Sequence, residues 1–355
     1  MSISEVKVAN LRSYALFEAQ LDPHVTLILG PNGSGKTSLL EALYVMCRGT
    51  SFRGRDRDIL AHNQVVADIR LDFSNGDTRR ARLQLVATDK LNKTFTVDDK
   101  TSQRLLAKYR LPVVLFEPDE LRLLSSSPQR RRQFLDDVLS RLYPAYATTL
   151  SRFNRALLQR NELLKQQESM DFAVWEKHLF VWDVKFAELA SSLVRLRHGF
   201  TELANQHLSR LYSSMASKKH RVSMVYEPLG KVDSYQQKLL ALLQHSHQHD
   251  ALRGFTSHGP HRDDFTILLD DYPASDTASR GEMRTIMLAF KLLEVELQQE
   301  LSNRAPLILM DDVFSELDIT RERHLMHTLE GYQTVITATD LRDELKINAK
   351  IITLQ

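Results

Sequence analysis

Apolar and polar residues alternate along the first part of the chain. Residues 3–8, 15–21, 66–73, 81–86 and 94–97 keep a period of two or are rich in β-branched side chains, which predicts strands of an antiparallel layer. Asn75-Gly76 marks a hairpin turn between two of them. Residues 25–29 and 113–116 are unbroken apolar runs, the pattern of strands buried on both faces. From about residue 128 the period becomes helical. Tyr146, Leu150, Phe153, Leu157 and Leu164 fall on a four-three spacing that Arg160 interrupts. Trp175, Leu179, Trp182, Phe186, Leu189, Leu193, Leu196, Phe200 and Leu203 hold that spacing as a coiled-coil seam. The polar stretch 166–171 predicts a turn, so the two runs form an antiparallel helical hairpin. Its second helix would be roughly 45 Å long at about 1.5 Å per residue. The pattern fits a free-standing arm and a bundle packed on the rest of the fold equally well. Strands follow at 221–226 and 264–269, then a helix over 282–301 with Ile286, Phe290, Leu293 and Leu297 on one face. Pro306 ends it, and strands are expected at 307–310, 334–337 and 351–354. The sum is an α/β fold with an antiparallel β-layer and an inserted helical hairpin.

The apolar run 25–29 leads straight into Gly30-x-x-x-x-Gly35-Lys36-Thr37, and Leu39, Leu40, Leu43, Tyr44 and Cys47 then recur at helical spacing. Strand, glycine loop and helix are the context of a P-loop. The glycines let backbone N–H groups wrap a phosphate, and the helix N-terminus adds partial positive charge. Gly30, Asn32, Gly33, Ser34, Gly35, Lys36, Thr37 and Ser38 are therefore candidates for binding ATP. Lys36 is placed for the β- and γ-phosphates, and Thr37 for Mg²⁺.

A second strand, 307–310, ends in Asp311-Asp312 and runs on to Ser315-Glu-Leu-Asp318. Asp311 is the candidate for the Mg²⁺ shell and Asp312 for polarising the attacking water. Ser279-Arg-Gly-Glu282 opens a helix shortly before that strand. Alone it reads as an N-cap with a capping box. In this order it reads as a turn in which Ser279 and Gly281 touch nucleotide held by a second subunit, with Asp318 at the dimer seam.

Composition narrows the setting. The chain has 355 residues, 43% hydrophobic and 26% charged, as in ordinary globular proteins of two or three domains. One cysteine, Cys47, excludes an internal disulfide framework and suits a reducing cytosol, where a core position is its expected place. No apolar stretch is long enough to span a membrane, and the N-terminus lacks signal-peptide features. Net charge is only +2, but basic residues cluster at Arg53/Arg55/Arg57, Arg79/Arg80/Arg82, Arg130-Arg131-Arg132 and Lys218-Lys219-His220-Arg221. Each cluster is equally compatible with DNA phosphates and with a solvated face. Arg53 is open to two readings, a contact with the triphosphate of its own subunit or a surface arginine. His245, His247 and His249 lack a cysteine or carboxylate frame and are read as a solvated loop rather than a metal site. His258 and His261 flank Gly259-Pro260 in what is read as a structural turn.

The order P-loop, Ser279 turn, acidic strand and Ser-Glu-Leu-Asp turn resembles the ABC-type heads of SMC-like ATPases. Pro118-Asp-Glu-Leu-Arg-Leu-Leu with Pro128-Gln-Arg-Arg-Arg-Gln-Phe-Leu-Asp136, Gly259-Pro-His-Arg-Asp-Asp264 and Leu309-Met-Asp-Asp-Val-Phe-Ser-Glu-Leu-Asp318 are similar to signatures of the RecF family. The likeness covers essentially the whole chain. It departs from the family at Ser125-Ser126-Ser127, where a glycine is usual, and at Arg280 and Glu282 in the signature. Thr337-Ala-Thr-Asp340 stands where transporter-type relatives carry a switch histidine. The resemblance implies an ATPase lobe over 1–117 and 285–355 and a helical lobe over 118–284. It implies ATP and Mg²⁺ as cofactors, an ATP-dependent homodimer, DNA binding, slow DNA-stimulated hydrolysis and a cytoplasmic location. It also implies RecO and RecR as partners, with RecA loading at single-stranded gaps downstream. A transporter ATPase subunit is disfavoured by the long insert before Ser279, and a chromosome-tethering organiser by the short hairpin.

Overall fold

The computed structural model describes residues 2–87, 90–216, 218–340 and 349–354. In chain order β1 (Ile3–Leu11), β2 (Tyr14–Gln20) and β3 (Val25–Leu29) lead to α1 (Lys36–Arg48). Next come β4 (Val66–Phe73), β5 (Thr78–Ala87), β6 (Lys90–Val97), β7 (Lys100–Ser102) and β8 (Val113–Phe116). The helices α2 (Pro128–Leu142), α3 (Pro144–Leu164) and α4 (Phe172–Met215) follow, then β9 (Val222–Tyr226), α5 (Tyr235–His245) and α6 (His247–Arg253). The chain continues through β10 (Phe265–Leu269), β11 (Tyr272–Pro273), α7 (Ala274–Thr277) and α8 (Arg280–Ser302). It closes with β12 (Leu307–Asp311), α9 (Ile319–Thr328), β13 (Thr334–Ala338) and β14 (Lys350–Thr353). Two compact units result, Met1–Glu120 with Glu294–Gln355 and Leu121–Leu293, with one boundary inside α8.

The first unit holds an antiparallel sheet in the order β2-β1-β4-β5-β6-β7 and a parallel sheet in the order β14-β3-β13-β12-β8. Helix α1 is buried nearly all round because both sheets face it. Leu39, Leu43 and Cys47 share one core with Val6, Val8, Ile69 and Leu83 of the first sheet and Ile28, Leu309 and Val335 of the second. A helix apolar on all sides belongs in such an interior. In β4 every second residue is buried, whereas β8 and β13 are buried throughout. That is the contrast expected between a half-exposed antiparallel sheet and a doubly covered parallel one. The Asn75-Gly76 turn joins β4 to β5 as predicted.

The second unit carries the small sheet β11-β10-β9 and helices α2 to α7. Helix α4 spans 44 residues, about 66 Å, longer than the seam alone predicts because Leu208, Leu211, Tyr212 and Met215 stay buried. It packs along α3, α5 and β9, so the hairpin is part of a bundle and not a free arm. The seam is also corrected. Trp182, Leu196 and Leu203 are only partly covered, while Asp183, Arg197 and Ala204 are buried.

Polar groups inside this unit are matched. Arg160, fully buried, donates to Asp183 Oδ1 at 2.7 Å, Asp250 Oδ2 at 2.9 Å and Thr256 Oγ1 at 2.8 Å. His247 Nε2 lies 2.6 Å from Asp183 Oδ2. His247 therefore opens α6 against a buried carboxylate, which corrects its reading as part of a solvated loop. Arg197 donates to Asp136 at 2.7 Å, Tyr146 at 3.0 Å and the Pro260 carbonyl at 2.8 Å. The Gly259–Asp264 motif is thus a clasp, with Tyr226 donating to Asp263 at 2.6 Å and Arg131 Nε to Asp264 at 3.1 Å. Gly259 has φ 133°, and a Cβ there would meet the Phe186 ring at 3.0 Å. Burial pushes His261 down to about 4, and its Nε2 lies 3.1 Å from the Thr256 carbonyl oxygen.

Candidate nucleotide site

The end of β3 runs into the glycine loop, and α1 starts at Lys36. Gly35 has φ 96°, and a Cβ there would stand 2.7 Å from Ser13 Oγ and 2.9 Å from the Tyr14 ring. The β1–β2 turn therefore seals the loop from behind, and only glycine fits. Lys36 is buried, with Nζ donating to the carbonyls of Gly30 at 2.6 Å and Pro31 at 2.8 Å. The loop is thus curled around its own ammonium group. Ser34 Oγ is buried with no hydrogen-bond partner, a polar atom available to an anion in the cradle. Ser38 N and Leu39 N donate to the Gly35 carbonyl at 2.9 and 3.3 Å, the first bonds of the helix.

Strand β12 delivers the acids. Thr37 Oγ1 donates to Asp311 Oδ1 at 2.7 Å, joining positions 274 residues apart. Strand β13 lies between β3 and β12, and its buried Thr337 donates to the same Asp311 oxygen at 2.9 Å. Thr337 also accepts from Asp312 N, through its carbonyl and its hydroxyl, both at 3.1 Å. Thr337 therefore braces the acid pair, a role the linear spacing did not reveal. Asp312 sits at φ 51°, a conformation that Asp tolerates better than most residues. Burial raises its carboxyl pKa, and Asp311 adds to the rise, while Ser315 and Lys36 oppose it. A hydroxyl and a carboxylate side by side are hard oxygen donors of the kind Mg²⁺ takes.

Two further residues hold the P-loop helix. Glu41, fully buried on α1, accepts from Arg12 Nε and Nη2, both at 2.8 Å. Ser51 donates to Glu41 as well. A carboxylate on an otherwise apolar helix was the one sequence signal for this clamp. Asp318 caps α9, accepting from Arg321 N at 2.9 Å.

Ser279 and Gly281 lie in the second unit. Ser279 N and Oγ both donate to Glu282 Oε2 at 2.8 Å, and Glu282 N donates back to Ser279 Oγ at 3.3 Å. This is a reciprocal capping box, and it holds Glu282 below the usual carboxylate range. Ser127 caps α2, accepting from Arg130 N at 3.4 Å, so the serine run ends where a helix begins.

The basic clusters are largely consumed by structure. Arg79 is buried and donates to the Tyr109 carbonyl at 2.5 Å, and Arg82 pairs with Asp68 at 2.9 Å. Arg131 and Arg132 bind the Gly259–Asp264 clasp, and Arg221 pairs with Asp271 at 3.3 Å. Arg53, Arg55, Arg80, Lys218 and Lys219 remain exposed. Among the described residues no group of three or more His, Cys, Asp or Glu side chains is arranged to hold a metal. No helix among them is long and apolar enough to cross a membrane.

The RecF/RecN/SMC N-terminal domain model matches residues 2–349. A DNA replication and repair protein RecF from Alkaliphilus oremlandii is 31% identical over 351 residues, covering 96% of this chain and 93% of that protein. The chain belongs to the RecF family. A second RecF, from Gloeobacter violaceus, is 32% identical over 350 residues, covering 96% of this chain and 92% of its own length. Among solved structures, that of the recombination mediator protein RecF with ATP, in the RecFOR pathway, aligns with a TM-score of 0.84. It is 28% identical and covers 96% of this chain and 93% of its own. An Smc head bound to the C-winged helix domain of ScpA aligns at 0.54 with 14% identity, a likeness of fold shared by RecF and SMC heads.

Proposed function

We propose that the chain is an ATP-driven, DNA-binding dimer of recombinational repair. The observation that carries this is the bond between Thr37 and Asp311, which brings the phosphate cradle and the acidic strand to one point. The RecF relatives and the ATP-bound RecF neighbour support the same reading. In it the loop residues Gly30 to Ser38 hold ATP, with Lys36 turning from its carbonyl partners to the β- and γ-phosphates. Mg²⁺, held by Thr37 and Asp311, neutralises charge on the phosphate oxygens when bound. Asp312 accepts the proton of the attacking water as the bond from the γ-phosphorus to the bridging oxygen breaks. Its raised pKa makes it a better base than an ordinary aspartate. Aspartate is shorter than the glutamate common at this position, which suits slow turnover.

The remaining contacts come from a second copy. Ser279 and the N-H groups around Gly281 cap the γ-phosphate, and Asp318 lies at the seam. The Ser279 hydroxyl is engaged with Glu282, so the γ-phosphate replaces that carboxylate as acceptor when the dimer closes. The first unit acts as the ATPase lobe and the second as a helical lobe that presents Ser279. DNA lies across basic surfaces brought together by dimerisation and stimulates hydrolysis. RecO and RecR are the partners at gapped DNA, with RecA loading as the outcome and the cytoplasm as the site of action.

Sedimentation velocity with ATP, ADP or no nucleotide, with and without gapped duplex, tests the reading. Dimers are expected with ATP alone, and Lys36→Ala is expected to remain monomeric throughout. Monomers in saturating ATP, even with Asp312→Asn slowing hydrolysis, would rule out the shared nucleotide.

A further inference from the structure

A cavity of about 430 Å³ opens in the first unit at the C-terminal end of α1. Four cationic side chains line it, and they come from four separate places in the chain. Arg48 ends α1, Lys93 lies on β6, Arg104 follows β7, and Arg110 precedes β8. No carboxylate is in the lining. Asp56 reaches Lys93 from outside the cavity, where Lys93 also donates to the Gly49 carbonyl at 2.7 Å. Such a wall favours an anion.

The rest of the lining says which kind. Leu91, Phe95 and Leu105 form an apolar floor, and Gly49 lets it close, since a Cβ there would stand 3.0 Å from Leu105 Cβ. Asn92 and Gln103 add exposed amides at the rim. A bare phosphate has no use for an apolar floor, and an apolar ligand has none for four cations. A nucleotide uses both, its base on the floor, its base edge at the amides and its phosphate among the arginines. The volume lies in the range of sites for ligands of that size.

We propose that this cavity binds one nucleotide with its phosphate, supplied by an unpaired DNA strand, at a site separate from the P-loop. The proposal rests on the DNA-binding reading above and gives it a residue-level contact. The cavity stands at the far end of the P-loop helix, about 20 Å from Lys36 for 13 residues. A hydrogen-bonded run also links the two ends. Lys93 pairs with Asp56, Ser51 N donates to Asp56 at 2.8 Å, Ser51 bonds Glu41, and Arg12 holds Glu41. A phosphate in the cavity competes with Asp56 for Lys93.

The test uses the full chain with Arg104→Ala and Arg110→Ala combined, both exposed and outside the nucleotide machinery. Fluorescence anisotropy measures binding of a single-stranded oligonucleotide and of a blunt duplex of equal length over a range of salt. Single-strand affinity is expected to fall about 10-fold or more, with a salt slope shallower by about 1.4 for two lost phosphate contacts. Duplex affinity should change less than about 2-fold, and thermal unfolding and unstimulated ATPase should not change. Arg104→Lys with Arg110→Lys should recover the slope. A calorimetric arm titrates dAMP into Lys36→Ala protein, with and without the double substitution. Loss in the DNA arm assigns the cavity to a strand, and loss in the dAMP arm alone assigns it to free nucleotide. Equal loss on single strand and duplex overturns the nucleotide assignment, and no loss in either arm overturns the site. Wild-type protein that binds no DNA would refute the repair reading itself, whereas binding fully kept by the double variant refutes only the cavity.

Discussion

Arg160→Met should destabilise the second unit severely. The wild-type guanidinium serves two carboxylates, Asp183 and Asp250, that are both 0% exposed. Removing it leaves two buried acids whose one remaining cationic neighbour is His247, 2.6 Å from Asp183, plus His249 at 3.9 Å from Asp250. Breaking a buried pair by deleting one partner costs about 3–5 kcal/mol. The two tryptophans, Trp175 and Trp182, both lie on α4 near this network, and Trp175 is 6.1 Å from the His247 ring. Intrinsic fluorescence therefore follows the unfolding of this region. With a urea dependence of about 2 kcal/mol/M, the midpoint should fall by about 1.5–2.5 M. The triple variant Arg160→Met, Asp183→Leu, Asp250→Leu removes every charge of the trio and should return most of the stability, because apolar packing replaces a costly desolvation. A midpoint for Arg160→Met within about 0.3 M of wild type would refute the argument. So would a triple variant as unstable as the single one.

Two other outcomes are expected. Because burial holds His261 near pKa 4 in the folded state, the unfolded chain takes up a proton first below about pH 6.5. Stability conferred by the neutral ring is thus present above that pH and lost as pH falls toward 4, by up to about 3 kcal/mol. His261→Gln should flatten the acid side of a denaturation series, and an unchanged slope would count against the assignment. Asp312→Asn should still bind ATP and dimerise while kcat drops about 10²-fold or more, and normal turnover would remove Asp312 from the mechanism. In the wild type, the rate should fall with decreasing pH at a value above the ordinary aspartate range, because burial raises the carboxyl that must be ionised.

The seam of α4 illustrates how far periodicity carries. A strict seven-residue repeat predicts that Leu196 and Leu203 face inward with Trp175 and Leu179. A straight α-helix drifts by about 20° per heptad against that repeat. Over 44 residues the buried stripe moves on, and Arg197, Ala204 and Leu208 take the inward positions. The polar members of that stripe then need partners, which only neighbouring elements supply. Arg197 finds Asp136, Tyr146 and the Pro260 carbonyl, so the Gly259–Asp264 motif and the helix explain each other.

Local chemistry was readable without coordinates. A P-loop is one continuous segment whose function lies in its own backbone, and the same is true of a strand that ends in two acids. The strands and helices of the first unit could be placed because burial on one face or two leaves its mark on neighbouring residues. Contacts between distant segments leave no such mark. Thr337 bracing Asp311, Arg12 clamping Glu41, and the convergence of Arg48, Lys93, Arg104 and Arg110 on one cavity join residues that carry no shared pattern along the chain. Which arginines face solvent was equally hidden, since Arg79 and Arg80 are neighbours in sequence yet lie on opposite faces of one strand. A side chain's partner is set by where the backbone brings it, and that is a property of packing.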